Sequence, residues 1–383
     1  MKNIYVLLPV LVILIFGSCK TVTNSVSFVN KRTPLNPIAH RGVTHYQVVA
    51  ELMYAQAVEQ ELIAYQNEVA RRQDEYRKAM EEYNSKTAAE RIVLNIQKPE
   101  LVLPDRPFVP FMYDERDLAS RVSIAGMERG DVNPLHIRLE YMGFEEQAPK
   151  LNTTTKKRKK DDVEYIDTNY HYTVGVRHPL IIRASAPNGE KYEVSVAAAN
   201  RWKTLKGKSF SDSARAFNSM IDAIEEEEKK IAFANTNEAN KILNSQFGTK
   251  DVNYTVRLYT FKSSRKHDYS DLDNALNIAQ YGLSVLNQDR NDGVDNINQA
   301  FIIWREATKE YGVRRGRIDD KVMKGILKNL IVAATFTENW EEGLRYIIQL
   351  ENMKLKGSDR SELRGLKIRF NDLKSRYDAL KKE

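Results

Sequence analysis

The sequence predicts an α+β protein with a long N-terminal helix, a small antiparallel β domain and a C-terminal α-helical array. Residues 43–95 lack proline and glycine and are rich in helix formers. Alternating polar and apolar segments between turn residues follow, and the last third returns to helical spacing. The predicted divisions are a signal peptide (1–18), a tether (19–42), a long amphipathic helix (43–96), an α+β domain with mainly antiparallel strands (97–262) and a helical domain (263–383).

The first eighteen residues have the pattern of a secretory signal peptide. Lys2 gives a positive start, residues 4–16 are apolar apart from Pro9, and Gly17 and Ser18 are the small residues that a signal peptidase needs. As a helix, the apolar run would span about 20 Å, less than the roughly 30 Å hydrocarbon core of a bilayer. A cleaved signal is therefore predicted rather than a transmembrane anchor.

Cys19 is the single cysteine of the chain and follows the small pair directly. Residues 16–19, Phe-Gly-Ser-Cys, resemble a bacterial lipobox, although aliphatic Leu is commoner than Phe at the first position. The resemblance implies that the Cys19 thiol is the lipid attachment point and that the chain is cut just before it. A signal peptide with a chance cysteine is the alternative. Without a second cysteine, no disulfide bond forms within the chain and the fold depends on its core.

The lipobox resemblance implies a partner, the membrane, and an address, the outer membrane. Residues 20–31 carry no acidic cluster, so we expect the protein to face the periplasm, with the cell surface as the alternative. A net charge of +7 and a pI near 9.1 are typical of nucleic-acid binding. The secretory start argues against nucleic acid and nucleotides as partners. Anionic lipid head groups or acidic proteins fit that compartment better.

Apolar residues recur every seven positions through the predicted long helix. They are Val48, Ala55, Leu62, Val69, Tyr76 and Tyr83. The companion positions are half polar, so the stripe lies on one side only. This pattern predicts a helix, straight or bent, that packs along another element of the chain. A dimeric coiled coil is the alternative.

The middle of the sequence predicts strands and one exposed insertion. The proline-rich residues 97–113 are predicted to cross another element in extended form. Residues 187–190, Pro-Asn-Gly-Glu, predict a hairpin turn. The basic run at 150–162 is predicted to be a solvated loop, with a patch for an anionic partner as the alternative. Predicted strands lie at 135–144, 165–176, 180–184 and 191–197, and a further one at 252–258 completes the sheet.

Helical spacing predicts one helix at 211–247 and five in the last third. The latter lie at 271–288, 293–311, 319–337, 340–354 and 359–382. The last of them carries an apolar seam of Leu363, Leu366, Phe370, Leu373, Tyr377 and Leu380. We expect this helix to cap the array, with docking on another protein as the alternative. Asp359 and Glu362 predict a capping box at its start.

A family resemblance lies within these helices. Residues 338–347 resemble the second-helix stretch of a tetratricopeptide repeat, in which a small residue packs under a larger one four positions later. The pairs that hold these places are Gly343 with Ile347, Ala275 with Ala279, and Ala300 with Trp304. The spacing departs from the family, because 43 positions rather than 34 separate Ala300 from Gly343. Ile331 also stands where a small residue is expected. The resemblance covers about 271–355 and implies stacked helical hairpins that contact other proteins.

Motifs for catalysis or cofactor binding are incomplete. Residues 207–209, Gly-Lys-Ser, resemble the tail of a P-loop, but Trp202 occupies the place of its first glycine. Residues 289–295 lack the glycine position and the bidentate glutamate of a calcium loop, and Asp292 is predicted to cap the next helix instead. Asp212 is likewise predicted as a helix N-cap, although residues 212–214 also match a short O-glycosylation pattern.

The histidines show no zinc-binding spacing, and we expect them to face solvent. They are His40, His45, His136, His171, His178 and His267. We therefore predict no metal, no cofactor and no catalytic residue. A hydrolase site assembled from distant residues remains the weakest of the function classes considered.

These observations predict a non-catalytic lipoprotein subunit or scaffold of an outer-membrane or periplasmic complex. Secretion, surface assembly and envelope maintenance would all suit such a protein, which would act through contacts with other envelope proteins. The alternative is a glycan- or solute-binding lipoprotein for nutrient uptake. Its expected sign is a group of exposed aromatic residues on one face, for which the candidates are Tyr141, Tyr165, Tyr170, Tyr172 and Trp202.

Overall fold

The structure, a computed structural model, describes residues 21–38, 42–107, 109–160 and 163–381. The strands are β1 (Thr21–Arg32), β2 (His45–Leu52), β3 (Glu128–Arg129), β4 (Leu135–Tyr141), β5 (Glu145–Glu146), β6 (Lys150–Lys160), β7 (Val163–Arg177), β8 (Leu180–Ser185), β9 (Lys191–Ser195), β10 (Lys203–Lys206) and β11 (Lys250–Phe261). The helices are α1 (Ala55–Ser85), α2 (Ala88–Val93), α3 (Glu115–Ser120), α4 (Ala197–Asn200), α5 (Ser213–Gln246), α6 (Ser270–Val285), α7 (Arg290–Thr308), α8 (Asp320–Phe336), α9 (Trp340–Glu351) and α10 (Gly357–Lys381). The coarse prediction of a mixed α+β chain with antiparallel strands and a helical C-terminal region is confirmed.

The chain divides into two compact units. Unit 1 comprises Met1–Pro37 and Thr249–Glu383, of which residues 21–37 and 249–381 are described. Unit 2 comprises Ile38–Gly248. Strands and helices occur in both units, because unit 1 takes in β1 and β11 together with the C-terminal helices.

Unit 1 is built on a two-stranded antiparallel ribbon. β1 pairs with β11 along its whole length, from Thr21 opposite Phe261 to Arg32 opposite Lys250. The prediction of a tether is therefore wrong for these residues. Val26 and Phe28 point into the core while Ser25 and Ser27 are exposed, which is the period of two of a half-buried strand. The strand predicted at 252–258 exists within β11, but it pairs with β1 rather than completing the sheet of the predicted β domain.

The helices of unit 1 enclose an apolar core with the ribbon. α8 is buried almost all round, and Phe28 of β1 meets the ring of Phe336 edge-on at a centroid distance of 4.8 Å. The last helix, α10, packs on this core through its apolar seam, of which Leu363 and Phe370 are buried. Trp340 of α9 lies against Phe370, with ring centroids 5.3 Å apart.

The predicted capping box of α10 is wrong. The helix begins at Gly357, so Asp359 and Glu362 lie inside it. Both carboxylates turn toward the buried ammonium group of Lys328 on α8, at 2.8 and 2.7 Å. Tyr259 Oη of β11 donates a further hydrogen bond to Glu362 at 2.5 Å. Neutralising a buried cation satisfies these carboxylates more fully than a cap on an exposed helix end would.

Unit 2 contains a five-stranded sheet in the order β3-β2-β4-β8-β9. β2 runs parallel to β3 and β4, and the remaining pairs are antiparallel. The predicted long helix does not include residues 45–52, which form β2. Tyr46, Ala50 and Leu52 of β2 are buried at alternating sites. Pairing with β4 gives the backbone N–H and C=O groups of β2 the hydrogen-bond partners that they would otherwise need within a helix.

A second sheet in unit 2 is centred on β7, which pairs antiparallel with β5, β6 and β10. The basic run predicted as a loop is strand β6 as far as Lys160, and residues 161–162 lie outside the described chain. Opposite charges across the hairpin explain the pairing, since Arg158 Nε lies 3.0 Å from Asp167 Oδ2. Val174 and Val176 of β7 pack against α5 in a small satellite core.

Several local predictions can be compared directly with the structure. The turn at 187–190 joins β8 to β9, and Gly189 has the positive φ of +87° that such a turn requires. Asp212 caps α5 by accepting hydrogen bonds from two backbone amides. The cap of α7 is Asp289 rather than Asp292, because that helix begins earlier than predicted.

Candidate functional site: a projecting arm in unit 2

An arm of residues 55–112 leaves the five-stranded sheet of unit 2 and returns to it. It consists of α1, the short helix α2 and a proline-rich return segment whose described residues form neither helix nor strand. Alanine, glutamate, glutamine and arginine dominate α1, and all of these favour helix. The prolines of the return segment disfavour both helix and sheet pairing, which explains its irregular structure.

The two ends of the arm are tied together at its root. Tyr54 precedes α1, and its Oη donates a hydrogen bond to the backbone carbonyl of Phe111 at 2.9 Å. The Phe111 amide donates to Glu228 Oε1 of α5 at 2.8 Å. Tyr113 Oη donates to the backbone carbonyl of Glu228. Helix α5 therefore anchors the place where the arm leaves and returns.

The root encloses a buried histidine. His178 is 1% exposed, and neither of its ring nitrogens has a hydrogen-bond partner among the described residues. Its ring lies 6.1 Å from Tyr54, 5.8 Å from Tyr113 and 5.8 Å from Tyr141, centroid to centroid. Burial lowers the pKa of His178 to about 4, because no nearby group compensates a positive charge there. The imidazole is therefore neutral at physiological pH.

The same environment raises the pKa values of the neighbouring tyrosines. Burial, with a smaller effect of the Glu228 and Glu115 charges, raises the pKa of Tyr54 to about 12. Burial also raises the pKa of Tyr141 to about 12, and its Oη is 2.6 Å from Thr236 Oγ1. The root thus holds the His178 ring and these two phenols in uncharged forms, which suits a rigid joint.

The length of the return segment matches that of the helix. The 31 residues of α1 span about 46 Å at 1.5 Å per residue. An extended chain rising about 3.1 Å per residue covers that distance in roughly 15 residues, fewer than the segment between α2 and Phe111 contains. Ion pairs between successive turns support α1, such as Arg72 Nε with Glu68 Oε1 at 2.9 Å.

No side chain of α1 is buried. The stripe positions Leu62 and Val69 are half-buried, whereas Ala57, Ala64 and Ala70 on other faces are exposed. The predicted packing along another element is therefore incomplete within the described chain. An amphipathic helix that is not covered by its own fold is typical of a contact surface for another molecule.

Exposed apolar side chains concentrate on the arm. Ile92, Val93 and Val102 are 81%, 82% and 68% exposed. Others in this group are Ile63, Leu94, Leu101, Leu103, Val109, Phe111 and Met112. The predicted crossing at 97–113 therefore leaves much of its apolar surface open. Such a concentration of exposed apolar side chains in one segment is typical of an interaction site.

A shallow cleft lies on the outer face of the five-stranded sheet, with a volume of about 500 Å³. It is lined by Gln47, Val49, Glu51, His136, Ile137, Arg138, Arg183, Ala184, Ser185, Lys191, Tyr192 and Glu193. Its arginines are paired across strands: Arg183 Nε lies 2.9 Å from Glu140 Oε1, and Arg138 Nε lies 3.2 Å from Glu51 Oε1. These pairs satisfy the arginines without a ligand.

The aromatic residues considered for a glycan site do not form one exposed face. Tyr141 is buried in the core of unit 2, and Tyr172 packs edge-on against Phe217 at 5.3 Å. The guanidinium carbon of Arg177 lies 4.4 Å over the Trp202 ring. Tyr165 remains exposed near the end of the β6–β7 hairpin. The expected sign of glycan binding is therefore absent from this group.

The histidines of the described residues differ in burial. His178 is buried and His136 exposed, so the expectation of solvent-facing histidines is wrong for His178; His40 lies outside the described residues. Cys19 also lies outside them. Gly207 follows strand β10 and packs against the Met220 backbone of α5, so that close approach explains the glycine. No group of three histidine, cysteine or acidic side chains suited to a metal occurs in the described ranges.

Sequence reasoning missed the buried histidine and the open surface of the arm. The signal for His178 was its position between two apolar strands, next to Pro179 and Leu180. The signal for the arm was the apolar run Ile92–Leu94, which breaks the polar surface expected at a helix end. In the described part of the chain, none of the helices has the length and hydropathy to cross a bilayer.

Comparisons of the chain with protein-family models, with curated proteins and with solved structures found no match in any of the three.

Proposed function

We propose that the chain is a non-catalytic lipoprotein subunit or scaffold of an outer-membrane or periplasmic complex, in which the arm binds another envelope protein. The observation that carries the proposal is the arm itself: a helix of 31 residues without a buried side chain, beside a return segment rich in exposed apolar residues. Such surface is costly to leave in water, at roughly 25 cal/mol per Å² of apolar area, and a partner would cover it.

The root of the arm supports this role. Hydrogen bonds from Tyr54 and Phe111, together with the packing around His178, hold both ends of the arm in one place. A fixed root lowers the entropy that is lost when a partner binds. The arm is therefore better suited to a defined contact than a free peptide would be.

The C-terminal helices support a scaffold in a second way. We propose that α6–α9 are degenerate tetratricopeptide-like hairpins. Gly343 of α9 lies close to both α8 and α10, since a Cβ added there would be 3.2 Å from Ala334 Cβ and 2.5 Å from Phe370 Cε2. Ile347, one turn later, is buried. The close approach at Gly343 and the burial of Ile347 support this proposal.

The N-terminal address is proposed from the sequence alone. Acylation of Cys19 would anchor the protein in the outer membrane, with the periplasm as the expected side and no nucleic acid or nucleotide as partner. A Cys19→Ala variant is expected to lose both labelling by radioactive palmitate and recovery with the membrane fraction. A variant that stays unacylated and membrane-bound would refute the anchoring proposal.

The contact proposal is tested by site-specific photocrosslinking in cells. A photoreactive residue at Val102 on the arm is compared with one at Val132, which is 71% exposed in unit 2 but outside the arm. Crosslinked products are identified by mass spectrometry after gentle solubilisation. We expect the photoreactive residue at position 102 to crosslink to another envelope protein and the one at position 132 to give no such product. Equal labelling at both sites, or none at either, would contradict the proposal, and a crosslinked second copy would identify the arm as a dimer contact.

The alternative is a glycan- or solute-binding lipoprotein, and the cleft on the outer sheet face favours it. Its 500 Å³ is in the range of small-molecule sites. Tight binding of an oligosaccharide by the purified chain, lost in Arg183→Ala, would select this function.

A further inference from the structure

A groove in unit 1 has a different chemistry from the arm. It lies between the C-terminal end of α9, the connection that follows it and the outer face of α10, with a volume of about 690 Å³. Residues that line it include Met353, Lys354, Leu355, Arg360, Arg364 and Ile368. Sites of this volume accommodate several side chains of a bound peptide.

The groove carries positive charge that its own surroundings leave unpaired. Lys354, Arg360 and Arg364 are exposed, and none of them forms an ion pair with a residue that the structure describes. Lys367 differs, because its Nζ lies 2.5 Å from Glu351 Oε1 across the groove. Three cations therefore remain available to an anionic ligand.

The acidic residues nearest to these cations in the sequence do not neutralise them. Asp359 and Glu362 alternate with Arg360 and Arg364 along α10, yet both carboxylates bind the buried Lys328. In the first turns of α10, the negative charges therefore point inward and the positive charges of Arg360 and Arg364 lie on the groove side. This separation arises from the tertiary fold and is not visible in the mixed-charge sequence.

Apolar side chains lie beside the cations. Ile368 is 66% exposed, and it follows Arg364 by one helical turn as Arg364 follows Arg360. Met353 and Leu355 are partly buried against the core of unit 1 and form the opposite side. Successive turns place these groups about 6 Å apart, so they form a row rather than one compact cluster.

We propose that this groove binds an acidic, amphipathic segment of a protein partner, with carboxylates on Arg360 and Arg364 and an apolar side chain against Ile368 and Leu355. Charge complementarity favours this occupant, because a row of separated cations ending in apolar surface matches alternating carboxylate and apolar side chains. A single phosphate would reach only one end of the row. The proposal goes beyond the contact role of the arm, since it concerns a second surface with its own ligand chemistry.

The test uses the full mature chain in mild detergent and fluorescence anisotropy of a fluorescein-labelled peptide of alternating glutamate and leucine. The control peptide has glutamine in place of glutamate. The double variant Arg360→Glu/Arg364→Glu is compared with Arg305→Glu/Arg314→Glu, which changes charge equally at exposed sites of unit 1 outside the groove. An Ile368→Ser variant tests the apolar part. Circular dichroism verifies that each variant is folded.

We expect the glutamate peptide to bind, with affinity that falls as salt increases. Reversing the charges of Arg360 and Arg364 should weaken binding at least about tenfold, and Ile368→Ser should weaken it several-fold. The control variant with Arg305 and Arg314 replaced should bind the peptide almost as the parent does. Equal binding of the glutamine peptide, or an equal loss in the control variant, would overturn the proposal. Binding of phosphatidylglycerol vesicles without binding of the peptide would also overturn it and assign the groove to a lipid surface. Because photocrosslinking at the arm does not involve this groove, either proposal can fail alone.

Discussion

The buried histidine at the root of the arm makes the stability of unit 2 depend on pH. An exposed histidine in the unfolded chain has a pKa near 6.5, whereas burial lowers the pKa of His178 to about 4. Between these values the unfolded chain binds a proton that the folded chain does not. The free energy of unfolding therefore falls as the pH decreases from about 6.5 to about 4, and the effect is absent above that window.

The two pKa values determine the size of this effect. A difference of about 2.5 units corresponds to about 3 kcal/mol when the transition is complete. Between pH 7 and pH 5 the contribution of His178 is about 2 kcal/mol, because at pH 5 the unfolded histidine is almost fully protonated and the folded one is not. This is a substantial fraction of the stability of a typical domain.

The perturbation that isolates this contribution is His178→Phe, which retains an aromatic ring among the three tyrosines and removes the titrating group. Urea unfolding at pH 5 and pH 7, read by hydrogen exchange in peptides of α5, reports on unit 2 separately. The carboxylates are the same in both proteins, so their contribution to the pH dependence of unfolding cancels when the parent and the variant are compared. We expect the parent chain to lose about 2 kcal/mol more than the variant at pH 5.

The control is His136→Phe, which replaces an exposed histidine on the outer face of the sheet. This variant should show the pH dependence of the parent. If His178→Phe and the parent show the same loss between pH 7 and pH 5, the histidine is not a neutral buried group and the reasoning about the root is wrong. A second variant, His178→Leu, covers the case in which phenylalanine does not fit.

Three further predictions concern packing, charge and capping. Gly343→Ala should destabilise unit 1 by about 1–3 kcal/mol, because the new methyl group would overlap the buried ring of Phe370. Thermal unfolding measures the loss, and an unchanged midpoint temperature would contradict the prediction. Lys328→Met should cost about 3 kcal/mol, because it leaves the Asp359 and Glu362 carboxylates without their buried cation. Urea unfolding measures the loss, and an unchanged free energy of unfolding would contradict the prediction. Asp212→Ala should destabilise α5 by about 1 kcal/mol, seen as faster hydrogen exchange in its first turn and not in its last.

Sequence reasoning worked best where a structure depends on nearby residues. The turn at 187–190, the cap at Asp212 and the apolar seam of α10 are each encoded within a few positions of the chain. Reasoning was least successful for β2, where the absence of proline and glycine suggested a helix. Residues 45–52 instead form a strand, because they pair with β4 and bury alternate side chains in the core. This packing outweighs their helix propensity.

The candidate site was predictable only in part. The apolar residues that recur every seven positions indicated helix α1, and the prolines indicated that the return segment is neither helix nor strand. Whether the chain itself would cover their apolar side chains depends on the tertiary structure, which leaves Val93 and Val102 exposed. The groove on α10 could not be predicted at all, because the sequence alternates its charges and the fold separates them.

The sequence by itself determined the mixed α+β composition, the hairpin and the helical C-terminal region, and it is the basis of the proposal that Cys19 carries a lipid. The tertiary structure alone decided that residues 21–32 pair as a strand with a segment more than two hundred residues later. It also decided that His178 is buried without a hydrogen-bond partner among the described residues, and that Lys328 binds two carboxylates in the interior. The physical reason is the range of the interactions. Turns, caps and amphipathic stripes are satisfied by neighbours along the chain, whereas strand partners, burial and the environment of a charge depend on segments that only folding brings together.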